Sequence, residues 1–266
     1  MKITSTPELD AAAAARPDDE EWVAGPRGRF GVIAPSTNTI VEQDLADIAP
    51  RNVTFHTGRM YISDPNLGSN AAFEQLLVQI RESIRVAVRD VLTAKPTYLL
   101  MGMSSETFWG GLAGNAAFID RIRDQSGLDV STGASACRAA LEAVGAKRIS
   151  VFSPYQPVAD DQVSSYFTEA GFDVKAVTGL RCPTATAIAE VGPGRIRRVV
   201  DALDDDSVDA IVQVGTNLSF VRQAAALEAE LGKPVIAINT ATLWHALRAT
   251  GVDDRIDGFG LLLSEH

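Results

Sequence analysis

Two stretches of the chain carry the residue types suited to holding a small anion. They are Leu99-Leu100-Met101-Gly102-Met103-Ser104-Ser105 and Ile211-Val212-Gln213-Val214-Gly215-Thr216-Asn217. Each reads as a buried apolar strand that breaks at a glycine, Gly102 or Gly215. Small hydroxyl or amide residues follow, and soon a phenylalanine, Phe108 or Phe220. A parallel strand that stops this way and feeds a helix exposes backbone N–H groups at its carboxyl end, where open α/β sheets bind ligands. Two such ends in one chain point to two related halves with a small anionic ligand between them.

Other strand ends enlarge the set. Ser36, Thr37 and Asn38 join Met103, Ser104 and Ser105 from the first half. Tyr155 joins Thr216 and Asn217 from the second, with Asn239 and Thr240 as further candidates. The set is polar, mostly uncharged, and rich in hydroxyls, amides and free backbone N–H groups. Fixed dipoles of this kind stabilise a carboxylate, or the enolate formed from one, without reorganising. Any one of these residues reads equally well as a helix N-cap, but six at matching positions favour a pocket.

The elements that must position them alternate. Strands are expected at 29–34, 53–58, 97–102, 129–132, 148–153, 173–177, 209–214 and 234–238. Helices are expected at 40–47, 70–93, 113–125, 136–144, 158–170, 184–203, 219–231 and 241–250. Near-continuous apolar strands alternating with helices imply parallel sheets covered on both faces. Three similar segment pairs recur in the same order: Phe30–Ser36 with Ile149–Tyr155, the two glycine turns, and Ala140–Gly145 with Ala246–Gly251. Ordered recurrence argues for duplication. The expected architecture is therefore α/β, with two pseudo-symmetric flavodoxin-like lobes, each built on a four-stranded parallel sheet, and a ligand cleft between them. Residues 27–134 plus 241–266 would form the first lobe, 135–240 the second, and 1–26 an N-terminal tail. A single eight-stranded barrel is the competing architecture. No Gly-x-Gly-x-x-Gly follows the first strand, which disfavours a dinucleotide site.

Composition narrows the partners. The 266-residue chain has a net charge of −10, with 46% hydrophobic and 22% charged residues. No basic stripe is available for nucleic acid, and the cluster Arg195-Ile196-Arg197-Arg198 reads as a solvated helix face. No apolar run approaches the roughly 20 residues of a membrane span. The N-terminus is acidic and lacks a hydrophobic signal core, so a cytoplasmic protein is expected. Cys137 and Cys182 read as reduced, buried thiols. They and the scattered His56, His245 and His266 lack metal-ligand spacing. A homo-oligomer is left open, with Trp22 as a candidate contact.

The segment Met101-Gly102-Met103-Ser104 through Phe108, Gly111 and Asn115 resembles arylmalonate decarboxylase, and Val32-Ile33-Ala34-Pro35-Ser36-Thr37-Asn38-Thr39 is similar to the matching loop of maleate cis–trans isomerase. Both belong to the Asp/Glu racemase superfamily, and the resemblance runs from about Arg29 to about Gly251. It implies two α/β lobes, no cofactor and a substrate carboxylate in the interlobe cleft. Ser104 and Tyr155 match family residues that hydrogen-bond the carboxylate or enolate, Asn38 matches a carboxylate-binding Asn, and Thr216 and Asn217 sit where backbone N–H groups close the oxyanion site. The resemblance also places the family's catalytic cysteines at Gly102 and Gly215, so both thiols are missing. The first turn is about one residue longer than in the decarboxylases and brings in Glu106, either a solvated turn carboxylate or a replacement acid/base. Three functions follow as expectations: a cofactor-independent lyase or isomerase of a small carboxylic acid acting through an enolate; a maleate-type isomerase, which the missing thiols count against; and a carboxylate-binding protein without catalysis.

Overall fold

A computed structural model describes residues 24–266; the expected tail, except its last residues, and Trp22 lie outside the described residues. Among the described residues eight strands form two separate four-stranded sheets, which excludes the barrel. The first sheet holds β1 (Gly28–Pro35), β2 (Val53–Met60), β3 (Tyr98–Met101) and β4 (Val130–Ser131) in the order β2-β1-β3-β4. The second holds β5 (Arg148–Ser153), β6 (Asp173–Gly179), β7 (Ala210–Gln213) and β8 (Val235–Ala237) in the order β6-β5-β7-β8. All pairings are parallel, and the two topologies are identical.

The central strands are buried throughout because both faces are covered. β3 and β7, which lead into the two glycine turns, have every residue buried. In the first sheet Val32 pairs with Leu100; in the second, Val151 pairs with Val212. The first two recurring pairs thus occupy equivalent strands, and the third ends the helices that follow β4 and β8.

The helices follow the apolar spacing. α1 spans Val41–Ile48. The long α2 (Asn70–Leu92) starts at Ser69, whose side chain caps Ala72 N, and buries Phe73, Leu76, Leu77 and Ile80, then Ala87, Val88 and Val91. That three-and-four spacing is one face of a helix. Gly58 lets this face sit close on β2, since a Cβ there would lie 2.3 Å from the Ala87 carbonyl oxygen. A short helix α3 (Ser105–Phe108) precedes α4 (Gly111–Ser126). α5 (Gly133–Ala143) begins with a reciprocal Thr132–Ser135 capping box, and α6 spans Pro157–Glu169.

One expected helix is broken. Instead of continuous helix over 184–203 there is a 3-10 turn at Thr186–Ile188 and then α7 (Pro193–Leu203). Pro193 sits in the first turn and forces Gly192 into extended backbone, so the helix can only start there. Within α7, Arg197 pairs with Asp201 and Glu230 at the surface. α8 (Val221–Leu231), α9 (Ile238–Ala249) and α10 (Leu261–Glu265) complete the chain. α9 packs on α5, and also on α1, β3 and β4. No helix among the described residues is long and apolar enough to cross a membrane.

Candidate active site between the two sheets

The two glycine turns meet. The Thr216 hydroxyl donates to the Gly102 carbonyl at 2.9 Å, and the Thr216 backbone N–H reaches Ser104 Oγ at 3.3 Å. Asn38 joins a third turn to them: its Nδ2 donates to Gly102 O and Thr216 Oγ1, at 3.2 and 3.1 Å. Its Oδ1 accepts from the backbone of Ile40 and Val41, capping the start of α1. Asn217 does the same from the other lobe, accepting from Thr39 N and donating to Thr37 O and Ala185 O. Both amides are therefore committed to tying turns together, and in this arrangement Asn38 holds backbone where the resemblance implied a carboxylate ligand.

Above these turns lies a pocket enclosing about 500 Å³ of space not filled by atoms, part of it open to solvent. One side is polar: Thr37, Asn38, Ser104, Ser105, Tyr155, Thr216 and Asn217, with Met103 and Gly215. Among the described residues, the backbone N–H groups of Thr37, Ser105, Gly215 and Asn217 find no protein acceptor outside regular secondary structure. The opposite side is apolar: Phe73, Leu76 and Ile80 of α2, with Ile62, Leu67, Ala185 and Ile188. Two loops close this side. Leu67 N donates to Pro183 O at 2.6 Å, and Asp64 accepts from the backbone and hydroxyl of Thr186 at 3.1 and 2.6 Å.

Among the described residues no Asp, Glu, Lys, Arg or His lines the pocket, and Tyr155 is the one titratable side chain there. The Tyr155 hydroxyl lies 2.5 Å from Ser104 Oγ, and its ring stands edge-on to Phe73. Burial raises the phenol well above its usual range, with the Ser104 bond opposing that shift, so the hydroxyl stays protonated. Its backbone is held in turn. Tyr155 N donates to Ser153 Oγ, Ser153 donates to the buried Asp160, and Arg181 bridges Asp160 and the Tyr155 carbonyl.

Behind the second turn, Asn239 Nδ2 donates to Thr216 O at 3.0 Å and to Asp44 Oδ2 at 2.7 Å. Asp44 is only 6% exposed, and burial pushes its carboxyl up to about 6, against the Asn239 bond.

Most of the residues expected from sequence thus converge, while Asn239, Thr240, Ser36, Gly102 and Glu106 do not line the pocket. Ser36 is held at the end of β1, accepting from Ile62 N. Gly102 contributes its carbonyl to the turn-to-turn bonds below. Glu106 points away. It is neither a solvated turn carboxylate nor placed for proton transfer: it is 5% exposed and held by Arg81 in two bonds of 2.7 and 2.8 Å, in a separate groove. Cys137 and Cys182 are buried outside the pocket lining, and burial raises both thiols. Among the described residues no group of three or more His, Cys, Asp or Glu could hold a metal ion. The apolar wall of α2 went unread in the sequence, because helical spacing is the same whether a face meets core or cavity.

Fold and site together define a two-lobed α/β protein with an uncharged pocket at paired strand ends. Residues 30–263 match the family model described as arylmalonate decarboxylase, and the chain belongs to that family. It is 30% identical over 255 residues to a maleate isomerase of Pseudomonas putida, covering 89% of this chain and 97% of the relative. It is 24% identical over 242 residues to an arylmalonate decarboxylase of Bordetella bronchiseptica, covering 89% and 96%. Its fold superposes on a Nocardia farcinica maleate cis–trans isomerase mutant with a covalently bound succinylcysteine intermediate. That match has a TM-score of 0.80 at 23% identity and covers 90% of this chain and 99% of the other.

Proposed function

We propose that this protein decarboxylates a malonate-type acid bearing an apolar substituent, through an enediolate held in the interlobe pocket and without a cofactor. The observation that carries this reading is the two-faced, uncharged lining. One carboxylate sits against the Ser104–Tyr155 pair and the N–H groups of the second turn, while the apolar side takes the substituent. The second carboxylate finds little solvation there. Breaking its C–C bond releases neutral CO2 and leaves the electron pair on the α-carbon, delocalised into the retained carboxylate. Fixed donors favour that enediolate as its charge grows.

The enediolate carbon then needs a proton. Tyr155 supplies it: a neutral phenol is a far stronger acid than the α-C–H bond being formed, so transfer runs downhill even with the phenol raised by burial. The phenolate recovers its proton from solvent through Ser104. The net change is dianion plus one proton to monoanion plus CO2.

A second reading has its own support, since the identity to a maleate isomerase exceeds that to the decarboxylase. Against it stands the thiol intermediate of the N. farcinica enzyme, for which this pocket offers no cysteine. A cytoplasmic location belongs to the same proposal and rests on the two reduced, buried thiols.

The test is to incubate the protein separately with phenylmalonate and maleate. Release of CO2 and phenylacetate, with no fumarate from maleate, is expected. Fumarate without CO2 release would favour the isomerase. Binding of both acids with no conversion would make the protein a carboxylate binder.

A further inference from the structure

We propose that the Arg81–Glu106 ion pair is a positioning clamp that sets the width of the pocket, and with it the size of substituent the substrate can carry; this rests on the malonate-type reading above. Glu106 lies two residues beyond Ser104, within α3, so it is rigidly coupled to the polar floor. Arg81 follows Ile80 on α2, the helix whose Phe73, Leu76 and Ile80 form the apolar wall. Otherwise α2 rests on β1, β2, α4 and α6. The pair therefore ties wall to floor from behind the pocket.

Its geometry suits a spacer. The guanidinium meets both carboxylate oxygens, through Nε at 2.7 Å and Nη2 at 2.8 Å, and such two-point contacts fix orientation as well as distance. Arg121 stands 3.9 Å from the same carboxylate, beyond hydrogen-bond distance. The Glu106 side chain is 6% exposed, so the clamp is anchored at its buried end. Without it the wall is free to recede from Ser104 and Ser105. A large substituent then loses more apolar contact than a small one, because the stabilisation scales with buried area.

A merely structural ion pair would act through stability alone, and the two roles separate experimentally. Removing one partner strands a buried charge, whereas replacing both by apolar side chains can leave stability nearly unchanged. The Arg81→Met/Glu106→Met double variant is compared with wild type for kcat, KM and melting temperature, on phenylmalonate and methylmalonate. The clamp requires the kcat/KM ratio of phenylmalonate over methylmalonate to fall about tenfold, mainly through KM, although melting stays near wild type. A ratio unchanged at wild-type stability overturns the clamp. Should the double variant not fold, Arg81→Lys keeps the charge but cannot make the two-point contact. It must shift the ratio the same way, by about threefold, and no shift overturns the proposal. Turnover of both acids by wild type separates the two levels. If wild type converts neither acid, the malonate reading fails and takes the clamp with it; if it converts both and the ratio holds in the variants, only the clamp fails.

Discussion

The two glycine turns occupy the same place in two identical sheet topologies, yet they supply different chemistry. The first, after β3, contributes mainly side chains: Ser104 Oγ is paired with Tyr155, and Ser105 lines the pocket and adds one backbone N–H. The second, after β7, contributes backbone: the Thr216 N–H bonds Ser104, and the Gly215 and Asn217 N–H groups lack protein acceptors outside regular secondary structure among the described residues. Backbone explains the division. Gly215 has φ of 115°, and a Cβ there would lie 2.5 Å from the Pro154 ring. Gly102 has no positive φ, and its Cβ would meet Ala34, Val32 and the Ile33 carbonyl at 3.1–3.2 Å. Of two turns in identical topologies, one thus has the backbone to bear a side chain and the other presents N–H dipoles.

The largest effect should fall where the first turn meets Tyr155, in the loop after β5. Tyr155→Phe keeps the ring against Phe73 but removes the acid, and should lower kcat by about 10² to 10⁴. Retained activity would shift the proton elsewhere. Ser104→Ala removes a single donor to the developing charge and should cost about 10² to 10³ in kcat without unfolding. Steady-state rates together with circular dichroism check both.

The backbone difference is tested by stability. Gly215→Ala meets both a left-handed φ and a clash and should destabilise by about 3 kcal/mol or more, whereas Gly102→Ala should cost about 1 kcal/mol. Denaturant unfolding measures both, and equal costs would erase the distinction between the turns.

The support behind the second turn gives a pH signature. Asp44 faces Asn239, with Asp47 and Arg222 the nearby charges, and burial holds its folded carboxyl at about 6, above the usual aspartate value of 3.8. The folded state therefore holds that proton more tightly than the unfolded chain. Its contribution is full below about pH 4, falls as pH rises through 6, and leaves a penalty of roughly 2–3 kcal/mol at neutral pH. Asp44→Asn should raise the melting temperature at pH 7.5, with the gain vanishing near pH 4. The smallest effect concerns the thiols. Cys137→Ala/Cys182→Ala and iodoacetamide treatment should leave turnover largely intact, because neither thiol lines the pocket. Inactivation by alkylation would reinstate a thiol in the chemistry.

Much of this was legible in the sequence for a local reason. Apolar strands that end in glycine and small polar residues announce both the sheet edge and the free N–H groups, so Ser104, Tyr155, Gly215, Thr216 and Asn217 were readable as one set. What stayed hidden depends on orientation. Glu106 follows the same turn as Ser104 and Ser105, and only the course of α3 turns its carboxylate toward Arg81 and away from the cleft. Phe73, Leu76 and Ile80 carry ordinary amphipathic spacing, and nothing local marks them as a pocket wall. The amide of Asn38 was readable as polar and well placed, but not as already engaged by Gly102 and Thr216. The break before α7 was readable from Gly192-Pro193-Gly194, yet the apolar periodicity across 184–203 masked it.

The last long helix has a consequence for how the chain is made. α9 packs against α1, β3 and β4, elements built from the first half of the chain, and Asn239 at its start bonds Asp44 in α1. While the chain is being synthesised, β1 to β4 emerge more than a hundred residues before the helix that completes their packing. Those strands must wait, partly uncovered, until the ribosome has delivered almost everything else. Nascent chains that stop short of residue 238 should expose that apolar surface and recruit chaperones, while chains extended past 249 should be released from them.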